Sequence, residues 1–412
     1  MNELKCNSCG YEGIVRFLEL GEMPPVNAFI GEEEIANEEK YPLNLAYCPH
    51  CFLVQLGSIV PPDKLFRNYL HLSAGSESNV KHLKEAADYL KNRFNINKDT
   101  KLLEIGSNDG TLLSFIKNYT EGVVGVDPAK NLAKLNEEKG INYIAEFFDT
   151  KTASKISREL GKFDIIVGLN VIPHTPNNID LLKGARIVLK DKGVLMMEGV
   201  YALETILRGE FDTIYHEHAY TFSLHSLISL FRMAGLSVVD VEKIPTQGGS
   251  LRVFAMKDEF SEPISETVKS LLEEEDKMGL ASYEMYDRIG QKVEDYKREI
   301  RNIVDEEKKK HGKLIGLGAP ARGVVIMNYC GLNKEDIDYV VDDTVLKHGK
   351  VMPGVHIPVK PFDSLENEKE RDFCFILLSW NYKESFVRRL KEIFPKFRMI
   401  VPFPKLEVIE YG

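Results

Sequence analysis

Lys101-Leu102-Leu103-Glu104-Ile105-Gly106-Ser107-Asn108-Asp109-Gly110 is the stretch on which the fold turns. An apolar run ends on Gly106, Gly110 follows, and helical spacing resumes behind it. A strand that turns sharply into a helix has this form: the glycines let backbone approach a ligand closely, and the helix start offers unpaired N–H groups. Upstream, residues 77–95 are spaced as a helix, and strands are expected at 101–106, 122–126, 164–169 and 193–198 with helical stretches between them. Such alternation implies a parallel sheet covered on both faces. It closes with strands near 236–242 and 250–256. The long, charged, periodic stretch 265–311 reads as a connecting helix or helix pair, and a second α/β unit follows with strands at 313–318, 337–342, 373–379 and 398–402. The fold class is therefore α/β with two doubly wound units, and the cleft between them is where a binding site is expected.

Asp127 ends the strand one βα unit beyond the glycine turn, where a carboxylate can accept both hydroxyls of a ribose. A dinucleotide site would carry G-x-G-x-x-G, whereas here Asp109 stands inside the motif and would repel a pyrophosphate. A tight turn in some other α/β sheet is the plainer alternative. The pattern E-x-G-x-x-x-G with the distal acid resembles motif I of class I methyltransferases, whose donor, S-adenosylmethionine, is cationic and tolerates nearby carboxylates. That resemblance implies a Rossmann-like domain in which Glu104, Gly106, Asn108, Asp109, Gly110 and Asp127 form the cofactor pocket. Phe148, in Glu146-Phe147-Phe148-Asp149, either stacks on the adenine or belongs to the core. Asn170 and His174, in Asn170-Val171-Ile172-Pro173-His174, follow the fourth strand at the carboxyl end of the sheet, so Asn170 is expected at the cofactor and His174 at the reaction.

Cys6-x-x-Cys9 and Cys48-x-x-Cys51 present four thiols in two knuckles, with Gly10 and Pro49 suited to the tight turns. Disulfides compete with this reading, but two-residue spacing in a cytosolic chain favours a metal. Four cysteine ligands leave no position for water, so a zinc ion here is structural, and His50 is expected to point away. Residues 1–65 hold too little apolar sequence for a core of their own, so the metal supplies folding energy. Cys330 and Cys374 read as small buried residues. The 412 residues carry a net charge of −10, which argues against a nucleic-acid or anionic-membrane surface. No apolar run is long enough to span a bilayer, and residues 1–20 lack a basic stretch followed by an apolar one, so a cytoplasmic protein is expected.

Tyr215-His216-Glu217-His218 packs a phenol, a carboxylate and two imidazoles into four positions, either a proton-handling site or a polar surface loop. With the motifs already quoted, this cluster resembles the nucleotide-sugar C-methyltransferase family, enzymes that methylate 4-keto-6-deoxyhexoses at C3. The likeness continues through Gly248-Gly249-Ser250-Leu251-Arg252, Gly316-Leu317-Gly318-Ala319-Pro320-Ala321-Arg322-Gly323, Val341-Asp342-Asp343, Lys347-His348-Gly349-Lys350, Pro353-Gly354 and Leu378-Ser379-Trp380-Asn381, essentially the whole chain. It implies a zinc-binding domain at 1–65, a methyltransferase domain at 66–264, and a second Rossmann-like domain with its helical connector at 265–412, acting as a monomer. It places His174, Tyr215, Glu217 and His218 in the catalytic site. His218 is the preferred base and Tyr215 its rival; Glu217 would orient an imidazole or bind a sugar hydroxyl, and His174 would polarise O4 or relay a proton. His216 points away from its neighbours if the segment is extended. Tyr69, His71, Ser73, Gln247 and Arg252 are implied at the sugar, and Arg322, Lys347 and Lys350 at the nucleotide diphosphate of the substrate, although the two lysines also suit a solvated turn. His71 stands where a second tyrosine is expected and Gln247 where a histidine is common, so the sugar is left open. O- or N-methylation of a related nucleotide sugar is the rival chemistry, and a donor-binding scaffold without catalysis is the rival class.

Overall fold

The computed structural model describes residues 5–61, 65, 72–75, 77–202, 209–246, 249–368 and 373–412. Around the glycine turn it forms the expected sheet from β4 (Lys101–Ile105), β5 (Gly122–Val126), β6 (Asn142–Ile144), β7 (Phe163–Leu169), β8 (Leu189–Val200), β10 (Leu236–Ile244) and β11 (Ser250–Lys257). The order is β10-β11-β8-β7-β4-β5-β6. Strands β4 to β8 pair in parallel, while β11 runs antiparallel to both β8 and β10. Among the described residues six helices flank it: α1 (Glu77–Phe94), α2 (Thr111–Ile116), α3 (Ala133–Glu138), α4 (Thr150–Leu160), α5 (Asn178–Val188) and α6 (Leu224–Met233). Side chains of β4 alternate between two cores, Leu102 beneath α1 and α2, Leu103 and Ile105 beneath α4 and α5. The edge strand β6 has no fully buried residue and is only three residues long, too short to show periodicity in the sequence.

The charged connector is a helix pair, α7 (Glu266–Met278) and α8 (Tyr283–His311), separated where Gly279 takes a left-handed conformation and closes the first helix. Beyond it, β12 (Leu314–Leu317), β13 (Ile337–Val341), β14 (Val359–Lys360), β15 (Cys374–Leu377), β16 (Phe397–Val401) and β17 (Glu407–Tyr411) form a second sheet, ordered β14-β13-β12-β15-β16-β17, with α9 (Ala321–Cys330) and α10 (Lys383–Ile393) beside it. Only its edge strand β17 is antiparallel.

The N-terminal strands β1 (Val15–Met23), β2 (Tyr41–Tyr47) and β3 (Val54–Leu56) pair in antiparallel fashion. Their sheet is completed by β9 (Tyr220–Thr221), donated from the middle of the chain two residues after His218. Alternate residues of β2 face opposite ways: Leu43, Leu45 and Tyr47 join the core of α8 and the C-terminal unit, while Ala46 joins the central core. Gly290 of α8 lets the helix lie directly on β1, since a Cβ there would be 2.0 Å from the Phe17 carbonyl oxygen. Glu38 reaches across, accepting from Gly354 N–H (2.9 Å) and His356 Nε2 (2.8 Å). The module thus sits between the two α/β units. Among the described residues no helix is long and apolar enough to cross a membrane.

Candidate active site

On the donor side, the turn after β4 is built by positive-φ residues. Gly106 has φ +69°, and a Cβ on it would lie 2.3 Å from Val171 Cγ2. Asn108, at φ +49°, donates its N–H to Asp127 Oδ2 (3.0 Å), and the other oxygen of Asp127 accepts from Ala129 N–H (2.9 Å). The strand-end acid is thereby aimed at the loop, with lone pairs left over for ribose hydroxyls. Asp109 turns inward, accepting from Thr111 N–H and Oγ1 (3.2 and 2.6 Å) and from Ala74 N–H (2.9 Å). It holds the loop in shape. Ser73 donates its N–H to Asn108 Oδ1 (2.9 Å), which ties its backbone to the donor loop. Phe148 is a correction to the expected cofactor contact: it is buried against α5, where a Cβ on Gly184 would meet its ring at 3.1 Å, and the half-buried residue of the pair is Phe147.

Among the described residues, the buried oxygens Glu104 Oε2, Ser107 Oγ, Asn136 Oδ1 and Asn170 Oδ1 have no hydrogen-bond partner. Burial, with Asp127 and Asp109 nearby, pushes the Glu104 carboxyl well above the usual carboxylate range. A ligand that brings a cationic amine would satisfy both the orphaned acceptors and the excess of negative charge. These residues fit S-adenosylmethionine.

On the acceptor side, Tyr215–His218 forms a turn, closed by His218 N–H donating to the Tyr215 carbonyl (2.8 Å), not the extended segment that the sequence suggested. His174 and His218 face each other edge to face, with ring centroids 4.9 Å apart, and the Tyr215 ring lies 4.1 Å from that of His218. Each imidazole has its Nδ1 on a backbone carbonyl, His174 on Glu217 and His218 on Thr213, both at 2.8 Å. A carbonyl can only accept, so each ring carries a proton on Nδ1, and a neutral His218 then has its lone pair on Nε2. Burial, followed by the nearby His174 and Arg322, drives His218 down to about 3 and keeps it neutral. Glu217 orients His174 through its backbone; its side chain instead accepts from Asn27 Nδ2 of the N-terminal module (2.6 Å), and burial raises its carboxyl. His216 turns away, its Nε2 donating to the Tyr41 carbonyl (3.2 Å). Asn170, Pro173, His174, Val200, Thr213, His218, Tyr220 and Thr221 line one cavity, which joins the donor side at Asn170 to the two imidazoles.

Arg252 takes no place at the sugar. It is buried in β11 with Nε and Nη2 on Glu198 Oε1 (2.7 and 2.6 Å), and Glu198 also meets His82 (2.8 Å). Arg322, at the start of α9, is directed at Glu210 Oε2 (3.3 Å) and lies over the Trp380 ring at 5.1 Å. Lys347 is no solvated turn residue: Nζ donates to the Ala319 carbonyl (2.8 Å) at the mouth of the glycine turn after β12, and burial lowers its basicity. Lys350 closes that loop through its N–H on the Lys347 carbonyl (3.1 Å). Tyr69, His71 and Gln247 lie outside the described residues. Asn27, Glu210 and Asp212 are the residues that sequence reading missed. Trp380, the chain's one tryptophan, stood in a stretch quoted for the family likeness but was given no role there.

At the far end of the N-terminal module the four cysteine sulfurs lie within 4.8 Å of one another, with Cys6–Cys51 at 3.7 Å and Cys9–Cys48 at 3.6 Å, and none is in a disulfide. Sulfurs about 2.3 Å from one zinc ion in a tetrahedron stand about 3.8 Å apart. The four thiols fit a closed zinc site, and His50 stacks on Tyr11 instead of joining it.

Comparison with known proteins follows these divisions. A zinc-binding domain model matches residues 6–66, a methyltransferase domain model residues 79–241, and a C-methyltransferase C-terminal domain model residues 245–404. The C-methyltransferase NovU of Streptomyces niveus is 31% identical over 408 residues, 98% of this chain and 96% of that one. A ubiquinone biosynthesis O-methyltransferase of Actinobacillus pleuropneumoniae is 25% identical over 123 residues, 27% of this chain and 51% of its own. Among solved structures, the Haloferax volcanii methyltransferase complexed with the Trm112 activator aligns at TM-score 0.35 with 14% identity, over 45% of this chain and 95% of that one.

Proposed function

The chain belongs to the C-methyltransferase family of NovU, S-adenosylmethionine-dependent enzymes with a zinc-binding module, and on that premise we propose that it methylates C3 of a nucleotide-linked 4-keto-6-deoxyhexose. The observation that carries this reading is the pair of imidazoles whose Nδ1–H groups are held by backbone carbonyls, which leaves Nε2 of the neutral His218 as a base in one cavity with His174 and Asn170. A ketone at C4 acidifies the C3 hydrogen. His218 Nε2 takes that proton, and the C3–H electron pair becomes the enolate, with charge on O4. His174, whose Nδ1–H is already held by the Glu217 carbonyl, stabilises O4 when Nε2 also carries a proton to donate, and the buried Glu217, held by Asn27, is placed to bind a neighbouring sugar hydroxyl. Glu104, Asp127 and Asn170 would hold S-adenosylmethionine, which would supply an electrophilic methyl group for the C3 electron pair and a neutral thioether as leaving group.

Burial that keeps His218 neutral also weakens it as a base, and an enolate next to it reverses this by stabilising the imidazolium. The proton then leaves to solvent when product departs. In the C-terminal unit the glycine turn after β12 has the same form as the donor turn: Ala319 N–H donates to Asp342 at the end of β13 (2.7 Å), as Asn108 does to Asp127. This likeness supports a nucleotide at that turn, with Lys347 beside it. Purified protein incubated with a panel of nucleotide 4-keto-6-deoxysugars in deuterium oxide is expected to exchange the C3 hydrogen without donor and to form a C3-methyl product with it. Methyl found on oxygen or nitrogen, with no exchange at C3, would sink the reading.

A further inference from the structure

Three consecutive residues before the catalytic turn are gripped by the C-terminal unit. Glu210 accepts from Arg322 (3.3 Å). Phe211 is boxed by Tyr296, Tyr329 and Phe403, with ring centroids at 5.3, 5.3 and 5.7 Å. Asp212 accepts at Oδ2 from Trp380 Nε1–H (2.9 Å). All three are buried, Asp212 completely. The next residue is Thr213, whose carbonyl receives the His218 Nδ1–H. Its hydroxyl ties back to the Glu210 carbonyl (2.9 Å), so the carbonyl that orients His218 moves with the gripped segment.

A buried carboxylate facing an indole costs desolvation that an apolar residue would avoid. The N–H···O bond and the nearby Arg322 charge offset that cost only in part: among the described residues Asp212 Oδ1 has no hydrogen-bond partner, and burial pushes the carboxyl up to about 6. Packing is already provided by Phe211. What the polar contact adds is direction: it fixes the rotation of the 210–213 turn, which decides where the Thr213 carbonyl points. We infer that Trp380 and Asp212 are positioning residues through which the C-terminal unit sets the ring orientation and tautomer of His218. This deepens the assignment of His218 as the base and rests on it only for the kinetic part of the test.

Trp380→Phe keeps the ring and removes the N–H; Asp212→Ala removes the acceptor, and Asp212→Asn keeps an acceptor oxygen. In the wild type, ¹⁵N spectra of His218 are expected to show one tautomer, protonated at Nδ1. Trp380→Phe and Asp212→Ala should give mixed tautomers and a kcat lower by about tenfold to a hundredfold, the scale of a misplaced catalytic group, with KM within about threefold. Asp212→Asn should restore the single tautomer and most of kcat. Unchanged His218 nitrogen signals in Trp380→Phe would overturn the inference, as would a raised KM with kcat retained. If Asp212→Ala does not fold, Trp380→Phe carries the test alone. The spectra need no substrate, so a wild type that fails to exchange C3 hydrogen would remove the proposed reaction and leave the clamp standing or falling on its own signals.

Discussion

The donor side and the acceptor side of this cavity are built by opposite means. The donor loop is one contiguous segment, Glu104–Gly110, completed by Asp127 on the adjacent strand, and its geometry follows from two glycines and hydrogen bonds within the central unit, including those from Ser73 and Ala74. The acceptor side draws on all three units: His174 and His218 from the central unit, Asn27 from the zinc module, and the Trp380–Asp212 contact from the C-terminal unit. A local site tolerates change elsewhere. An assembled one fails when any contributor moves.

The most severe test is to remove the zinc. A structural zinc contributes about 10–16 kcal/mol of apparent binding free energy to the fold of a small module. Chelation, or Cys48→Ser, is expected to free Asn27 from Glu217 and unpair β9, abolishing methyl transfer. Donor affinity measured by calorimetry should stay within about threefold; a parallel loss of donor binding would show that the two sides are not separable.

Next in size is His218→Gln, expected to lower kcat by about 10²- to 10⁴-fold, the usual contribution of a general base. The donor dissociation constant should not move, and equal losses in both would place His218 in the donor pocket. Gly106→Ala reverses the pattern. A side chain at φ +69°, with its Cβ 2.3 Å from Val171, introduces strain of about 1–3 kcal/mol. Donor binding should weaken roughly tenfold while the His218 nitrogen spectrum remains that of the wild type.

The smallest effect is a proton. The folded, ligand-free protein holds Glu104 above the usual carboxylate range, so its contribution to stability is complete at lower pH and is lost as pH rises through the folded value. A cationic donor favours the ionised form and should expel up to about one proton on binding at a pH below the folded value. Calorimetry in two buffers of different ionisation enthalpy measures it. Glu104→Gln should reduce the release to zero, and an undiminished release would assign the proton to another group.

This division also explains what could be read in advance. The α/β alternation, the glycine turn, Asp127 and the cysteine knuckles are local patterns, so periodicity and spacing located them to within a few residues. Phe147 and Phe148 show the limit: adjacent residues of the same type face opposite environments, and which one is buried depends on how α5 packs against them. Arg252 shows another, since a charged residue in a glycine-led motif looked like a substrate ligand until β8 placed Glu198 beside it. His216 was separated from its neighbours for the wrong reason, a turn in place of an extended strand.

What the sequence determined by itself is therefore everything set by chemistry within one short segment: the donor motif, a zinc site from paired cysteines, and a concentration of proton-moving groups at Tyr215–His218. The tertiary structure alone decided which nitrogen of His218 is basic, because that depends on a carbonyl five residues away whose direction is set by Asp212 and Trp380, 168 positions apart. Short-range patterns encode residue type and spacing; orientation is fixed only when distant segments close around the same turn.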